Sequence, residues 1–401
     1  MLIDDLLPDA GALLPDAVDL RRRLHRRPEL GLSLPSTQEA VLDALDGLPL
    51  SSVSTGSGTT SVVAVLDGEA AGASEGRTIL LRGDMDALPM PEDTGLDFAS
   101  TVDGAMHACG HDAHTAMLAG AARLLSERRG SFAGRVVFMF QPGEEGHHGA
   151  RIMLDEGLLD VGGGVDAAFA IHTTPNLRAG QVATRGGSIM ASDDTFVVTV
   201  RGRGGHASEP HRALDPIPVA CEIVLALQSA VTRRMDTFDP AVVTVARVRA
   251  GSTSNVIPET AELFGTMRTV SERARRRVCE TVERVASGVA AAHGADVDFR
   301  LVNGYPVTVN DPDFASFVGS VAGDAFIALP NPVMGAEDFS YVLQRLPGAM
   351  AFLGTRPEGV SGEPAPNHSN RMLLNEDAMA NGIALHAAVA LSFLDPSTNS
   401  A

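Results

Sequence analysis

No lysine occurs in the 401-residue chain, so every one of its 31 basic side chains is arginine. That excludes a phosphate-loop Gly-Lys pair, a Schiff-base lysine and a lysine nucleophile, and with them several enzyme classes. Cysteine is scarce as well: Cys109, Cys221 and Cys279 are odd in number and widely spaced. They do not form the even framework of a disulfide-stapled secreted protein, and a reducing compartment is expected. Basic charge is in deficit, 31 against 50 acidic residues, which leaves a formal charge of −19. Such a field repels phosphate backbones and anionic headgroups, so neither nucleic acid nor a membrane surface is an expected partner. No apolar run approaches ~18 residues, and the acidic start Met1-Leu-Ile-Asp-Asp5 has no positive n-region. A cytoplasmic protein is expected.

What is present suits a folded enzyme. With 44% hydrophobic and 20% charged residues there is ample material for more than one core, and the length suggests two or three domains. Residues 15–46 carry helical spacing broken at Arg27-Pro-Glu-Leu-Gly31, which predicts two helices and a turn. Strand patterns at 61–66, 78–82, 135–140 and 166–171 then alternate with helical patterns at 112–129 and 149–157, the rhythm of a mostly parallel α/β sheet. From about residue 192 the order becomes β-α-β-β-α-β, the split arrangement of a ferredoxin-like α+β domain. From about 304 the α/β character returns. The expected division is a catalytic domain from 1–190 and 305–401, interrupted by a smaller domain at 191–304.

The densest chemistry lies in His107-Ala-Cys-Gly-His-Asp-Ala-His114, which places imidazoles, a thiol and a carboxylate just ahead of a helix. Open α/β sheets bind ligands beyond the carboxyl ends of their strands. Polar groups collect there four times: Asp84 and Asp86 after strand 78–82, Glu144 and Glu145 after 135–140, His172 after 166–171, and His368 on the loop beyond a strand at 349–353. A lone histidine at a strand end is more often a hydrogen-bonding residue than a ligand, and paired glutamates are more often a solvated helix start. Cys109, His111, Glu145, His172 and His368 together on one rim reverse that balance. Five ligands exceed one tetrahedral site, so two divalent ions are expected, with Cys109 the leading candidate for a bridge. Glu144 and Glu145 cannot both point alike on an extended loop, which leaves Glu144 free to handle a proton. Asp86 is expected to orient the His111 imidazole through its carboxylate.

Four motifs in order, Leu81-Arg-Gly-Asp-Met-Asp-Ala-Leu-Pro89, the 107–114 stretch, Gln141-Pro-Gly-Glu-Glu-Gly146 and Gly204-Gly-His-Ala-Ser-Glu-Pro-His211, resemble the amidohydrolase branch of the dinuclear aminoacylase and carboxypeptidase family. Hippurate hydrolases and plant auxin-conjugate hydrolases belong to that branch. The likeness runs from Leu20 to the His368 segment. It implies a zinc-peptidase-like α/β catalytic domain built on a mixed sheet, with an inserted lid that mediates a homodimer, the same five metal ligands, and Glu144 as general base. It further implies that His206 reaches into the partner subunit's site and stabilises the oxyanion there, and that Asn255 and Arg268 hold a substrate carboxylate. Taken alone, His206 would be an incidental turn imidazole and Arg268 a strand-end cation.

The expected reaction is therefore hydrolysis of an N-acyl amino acid with two divalent ions per subunit. Zinc suits thiolate and imidazole, while manganese, cobalt and nickel remain compatible. A dipeptidase or carboxypeptidase on the same site is the alternative. The chain departs from the family in two places: it has no tryptophan and reads His172-Thr-Thr-Pro175 where many members carry an aromatic, and His147 and His148 follow the glutamate pair, read here as exposed loop residues.

Overall fold

In the computed structural model, which describes residues 2–70 and 76–395, the chain divides into two units. Met1 and residues 396–401, the extremes of the expected catalytic domain, lie outside the described residues. The first unit comprises Met1–Gly187, Val309–Pro330 and Tyr341–Ala401, and the second Ser188–Thr308 and Asn331–Ser340.

Two helices open the first unit, α1 (Leu7–Arg26) and α2 (Pro35–Leu45), each with proline in its first turn, where the missing N–H costs nothing. The first stops ahead of Pro28, whose ring disfavours helical geometry in the preceding residue. Strands β1 (Ser52–Thr55), β2 (Val62–Asp67) and β3 (Thr78–Asp84) follow, then helix α3 (His111–Glu127). Next come β4 (Arg135–Gln141), α4 (Gly149–Asp155), β5 (Ala167–Thr174) and β6 (Val182–Thr184).

The second unit is built from β7 (Asp194–Arg201), α5 (Pro216–Arg234), β8 (Ala241–Ala250), β9 (Thr260–Thr269), α6 (Glu272–Ala292) and β10 (Asp296–Asn303). Its sheet runs β8-β9-β7-β10 with every neighbour antiparallel, the ferredoxin-like order. Burial alternates strictly along β9, so Ala261, Leu263 and Met267 face a core shared with α5 and α6 while their neighbours do not. The sequence places residues 331–340 in the catalytic domain, whereas in the structure they join this unit. Backbone hydrogen bonds tie them there: the Val333 N–H donates to the Ile189 carbonyl at 2.8 Å, and the Ala191 N–H to Gly335 at 2.9 Å.

The first unit resumes with α7 (Pro312–Ala322), β11 (Phe326–Ala328), β12 (Gly348–Gly354) and α8 (Met379–Phe393). Its eight strands run β1-β2-β4-β3-β5-β12-β6-β11. The central β4, β3, β5 and β12 are parallel, but β1 with β2, β2 with β4 and β12 with β6 are antiparallel, so the sheet is mixed, as the family resemblance implies, where the strand–helix rhythm alone suggests a mostly parallel one. Strands buried on both faces read as continuous apolar runs, and Phe138, Phe140 and Phe169 are fully buried there, each worth roughly 1.5–3 kcal/mol. Helices α1, α3 and α8 pack on one another. Among the described residues no helix is long and apolar enough to cross a membrane.

Candidate metal centre

Because β4, β3 and β5 are adjacent and parallel, their carboxyl ends open on one rim. Asp86 follows β3, Glu144 and Glu145 follow β4, and His172 lies within β5 two residues before its end. Cys109 and His111 flank Gly110 at the start of α3, and His368 arrives on the loop after β12. Donor atoms of Cys109, His111 and His172 lie within 4.8 Å of one another, and so do those of Cys109, Glu145 and His368. The two trios have only Cys109 in common, which puts the sulfur where one thiolate can serve two ions.

Local backbone geometry delivers these groups. Gly110 caps α3 at φ +89°, and a Cβ there would lie 2.4 Å from Thr173 Oγ1. Both the left-handed backbone and the close approach require glycine. Gly110→Ala should cost on the order of 2 kcal/mol or more in chemical denaturation and weaken metal retention at once, because Cys109 and His111 adjoin the strained residue. His368 is itself left-handed, at φ +67°, and its N–H donates to the Ala108 carbonyl at 2.8 Å. A non-glycine residue held there marks a position fixed by its surroundings.

The imidazoles are aimed by main-chain carbonyls. His111 Nδ1 donates to the Asp86 carbonyl and His172 Nδ1 to the Thr173 carbonyl, each at 2.8 Å. The Nε2 atoms are thereby left to face the cluster, with His172 Nε2 3.3 Å from Cys109 Sγ. The Asp86 carboxylate lies 3.7 Å from His111 Nδ1, near enough for charge attraction but too far for a hydrogen bond. Instead its two oxygens accept the Glu144 and Glu145 N–H groups at 2.8 and 3.0 Å. Asp86 thus fixes the turn that presents both glutamates, while its backbone, not its side chain, orients His111. A second unexpected anchor is Asn367, whose amide donates to the Cys109 carbonyl at 2.9 Å and to the Thr173 carbonyl at 3.2 Å.

Behind the rim lies a buried polar layer. His114 donates from Nδ1 to Asp84 at 2.6 Å, and its Nε2 accepts the Thr173 N–H at 2.8 Å, so both ring nitrogens are committed and it is no metal ligand. Burial pushes the His114 pKa down to about 4 against the pull of Asp84. Burial also opposes ionisation of Cys109 and His111. Nearby His172 and His111 nevertheless hold the thiol well below its ordinary value, and Asp84 and then Cys109 draw His111 well above its own. The adjacent Cys109 thiol and then the Glu145 carboxylate raise His368 to about 10, whereas burial raises Glu145. His107 is buried with no hydrogen-bond partner among the described residues. His147 is exposed, as expected. His148 is not simply a loop histidine: half-buried and left-handed at the start of α4, its Nδ1 sits 2.9 Å from the Tyr341 hydroxyl.

The first turn of α3 is also braced from α1. His25 Nδ1 lies 2.7 Å from Asp112, and His25 Nε2 lies 3.2 Å from Glu92. Burial disfavours the imidazolium, but these two carboxylates raise the His25 pKa to about 9. The stabilisation is therefore complete below the free-imidazole value of ~6.5 and is lost as pH rises through about 9. Between pH 6 and 10 the unfolding free energy should fall by roughly 3 kcal/mol from this pair, and His25→Asn should remove that part of the slope.

In the second unit, His206 and Asn255 lie on neighbouring segments, joined by the antiparallel pairing of Gly205–His206 with Val256–Ile257. The Ser208 N–H donates to His206 Nδ1 at 3.1 Å, which places the ring proton on Nε2. Asn255 Oδ1 accepts from the Thr253 hydroxyl at 2.6 Å, so its amide N–H groups remain the outward donors. Arg268 approaches Asp193 at 3.4 Å.

A cation fits the rim cluster. His111 Nε2 and Glu145 Oε1 are buried 3.9 Å apart, and no well-aligned hydrogen bond reaches either among the described residues, although Asp84 Oδ2 lies 3.2 Å from the first and His368 Nε2 3.3 Å from the second. Such orphaned atoms are costly, and a divalent ion between them removes the cost. Thiolate, imidazole and carboxylate are the donors of a zinc-like site. A model of peptidase family M20/M25/M40 matches residues 80–392. Thermostable carboxypeptidase 1 of Saccharolobus solfataricus is 37% identical over 396 residues, 98% of this chain and 99% of the relative. N-acetylcysteine deacetylase of Bacillus subtilis is 38% identical over 382 residues, 94% and 97% of the two chains. A Bacillus subtilis crystal structure described as a dinuclear metal-binding peptidase of the M20 family superposes with a TM-score of 0.82 at 35% identity, covering 96% of this chain and 99% of that one.

Proposed function

The chain belongs to peptidase family M20/M25/M40 and is a metal-dependent hydrolase of amide bonds, and from that premise we propose that it removes the acyl group from N-acyl amino acids. The observation that carries this reading is the pair of donor trios sharing Cys109, with Glu144 on the adjoining turn and buried at 5% exposure. Cys109, His111, Glu145, His172 and His368 would hold two divalent ions, with zinc, manganese, cobalt and nickel all compatible with these donors. When bound, such ions polarise the scissile carbonyl and make water easier to deprotonate.

The chain's own groups supply the rest. Glu144 takes the proton of the attacking water and returns it to the leaving nitrogen. His206 offers its Nε2 proton to the oxyanion, and the Asn255 amide with Arg268 grips the free carboxylate, which would displace Asp193 from the guanidinium. Ten-residue edge strand β8, with Val242 and Val248 exposed, supports a homodimer formed through the second unit. Three free thiols support a reducing, cytoplasmic setting.

Similarity to a deacetylase favours N-acyl substrates, while similarity to a carboxypeptidase keeps peptides as the rival. A panel of N-acetyl amino acids, hippurate and dipeptides, run on metal-loaded protein, separates the two. N-acyl amino acids should show kcat/KM at least ~10-fold above dipeptides, a margin that pocket contacts can supply. The reverse order would reject the proposal in favour of a peptidase.

A further inference from the structure

We propose that the second unit carries a binding site for a small molecule bearing two or more phosphate groups, in a cleft of about 400 Å³ lined by Arg234, Arg273, Arg276, Arg277 and Arg284. Arg234 ends α5, and the other four lie along α6. The sequence run Arg273-Ala-Arg-Arg-Arg277 is divided by the fold. Arg275 turns inward and grips both oxygens of buried Asp194, at 2.7 and 2.8 Å, as a structural ion pair. Its neighbours line the cleft instead.

Those neighbours break three local rules at once. Acidic side chains outnumber basic ones 50 to 31 in this chain, so partners are in surplus. Yet of the five arginines only Arg273 has a carboxylate within ion-pairing distance among the described residues, Asp239 at 2.9 Å and Asp236 at 3.9 Å. Arg284 has only the Thr281 hydroxyl, at 3.4 Å. Among the described residues Glu280 is the one carboxylate lining the cleft, and it has no ion pair with any of these arginines. Arg273 also stands in the first turn of a 21-residue helix, where the helix dipole disfavours a cation. Finally, Arg273 sits three and four residues from Arg276 and Arg277, the spacings at which like charges repel on a helix. Arg234, Arg276, Arg277 and Arg284 have no carboxylate to compensate them among the described residues, and local preferences abandoned together mark a functional surface.

The missing compensation is anionic. Guanidinium groups match phosphate oxygens in paired hydrogen bonds, and Arg234, Arg276, Arg277 and Arg284 together call for a ligand of roughly four negative charges. A bisphosphate supplies that within the cleft. A long polyanion would meet the field of a chain at −19, which favours the small ligand over nucleic acid.

The test is titration calorimetry of the full-length, metal-loaded protein with inorganic pyrophosphate in one arm and fructose 1,6-bisphosphate in the other, at fixed ionic strength. At least one should bind with Kd below about 100 µM, and the arm that binds tells an inorganic from an organic source. Arg276 and Arg277 are exposed, so R276A/R277A should fold, keep its amide hydrolysis and lose at least ~10-fold in affinity. Heat from sequestering the bound metal would be unchanged in that variant, so the difference isolates the cleft. The proposal fails if neither probe binds below about 1 mM, or if the double variant binds as tightly as the parent. It also fails if a duplex oligonucleotide, and neither phosphate compound, binds in an R276A/R277A-sensitive way.

Discussion

Glu144→Gln should lower kcat by about a thousandfold while both divalent ions stay bound, the loss expected when a positioned general base is removed. The side chain is almost buried, and its N–H is held by Asp86 Oδ1 while that of Glu145 is held by Asp86 Oδ2. One carboxylate thus clamps both residues of the turn by their backbones. Glutamine keeps the size of Glu144 and its main-chain bond and loses only the basic oxygen. The measurement is kcat alongside metal content by elemental analysis. The competing role is specific, because donor atoms of His111, Glu144 and Glu145 also fall within 4.8 Å of one another. If Glu144→Gln loses metal together with activity, Glu144 is a ligand rather than the base.

Cys109→Ala is expected to remove both ions, whereas His172→Ala should weaken chiefly one. The asymmetry follows from the two trios, which meet only at the sulfur. Losing a first-contact thiolate from each should reduce retention at both positions by more than about a hundredfold, beyond the 10–100-fold typical of groups that merely orient ligands. Dialysis against buffered metal followed by elemental analysis reads this directly. A Cys109→Ala protein that still carries two ions per chain would show that the thiolate is not shared.

The ligand types were visible in the sequence because imidazole, thiolate and carboxylate at successive strand ends have few other reasons to converge. The two carbonyls that aim His111 and His172 left no trace there, since any residue type could offer them. The position of Asp86 two residues beyond β3, beside His111, is plain in the sequence, but that its carboxylate turns to two N–H groups depends on the loop after β4. Asn367 and the His148–Tyr341 contact went unpredicted for the same reason, both being decided by segments far apart in the chain. At the level of fold, the buried central strands announced themselves by apolar runs. The fully exposed β1 and the three-residue β6 and β11 carry no such pattern, and β1 and β6 both make antiparallel pairings that turn the sheet mixed. Residues 331–340 join the second unit through backbone hydrogen bonds, which composition does not encode.

The most direct test of the central claim is a crystal structure of metal-loaded protein with anomalous scattering recorded at the metal edge. The expected map holds two peaks roughly 3.5–4 Å apart, flanking Cys109 Sγ, one beside His111 and His172 and the other beside Glu145 and His368. A single peak, or a pair in which only one contacts Cys109, would contradict a dinuclear centre built on a shared thiolate.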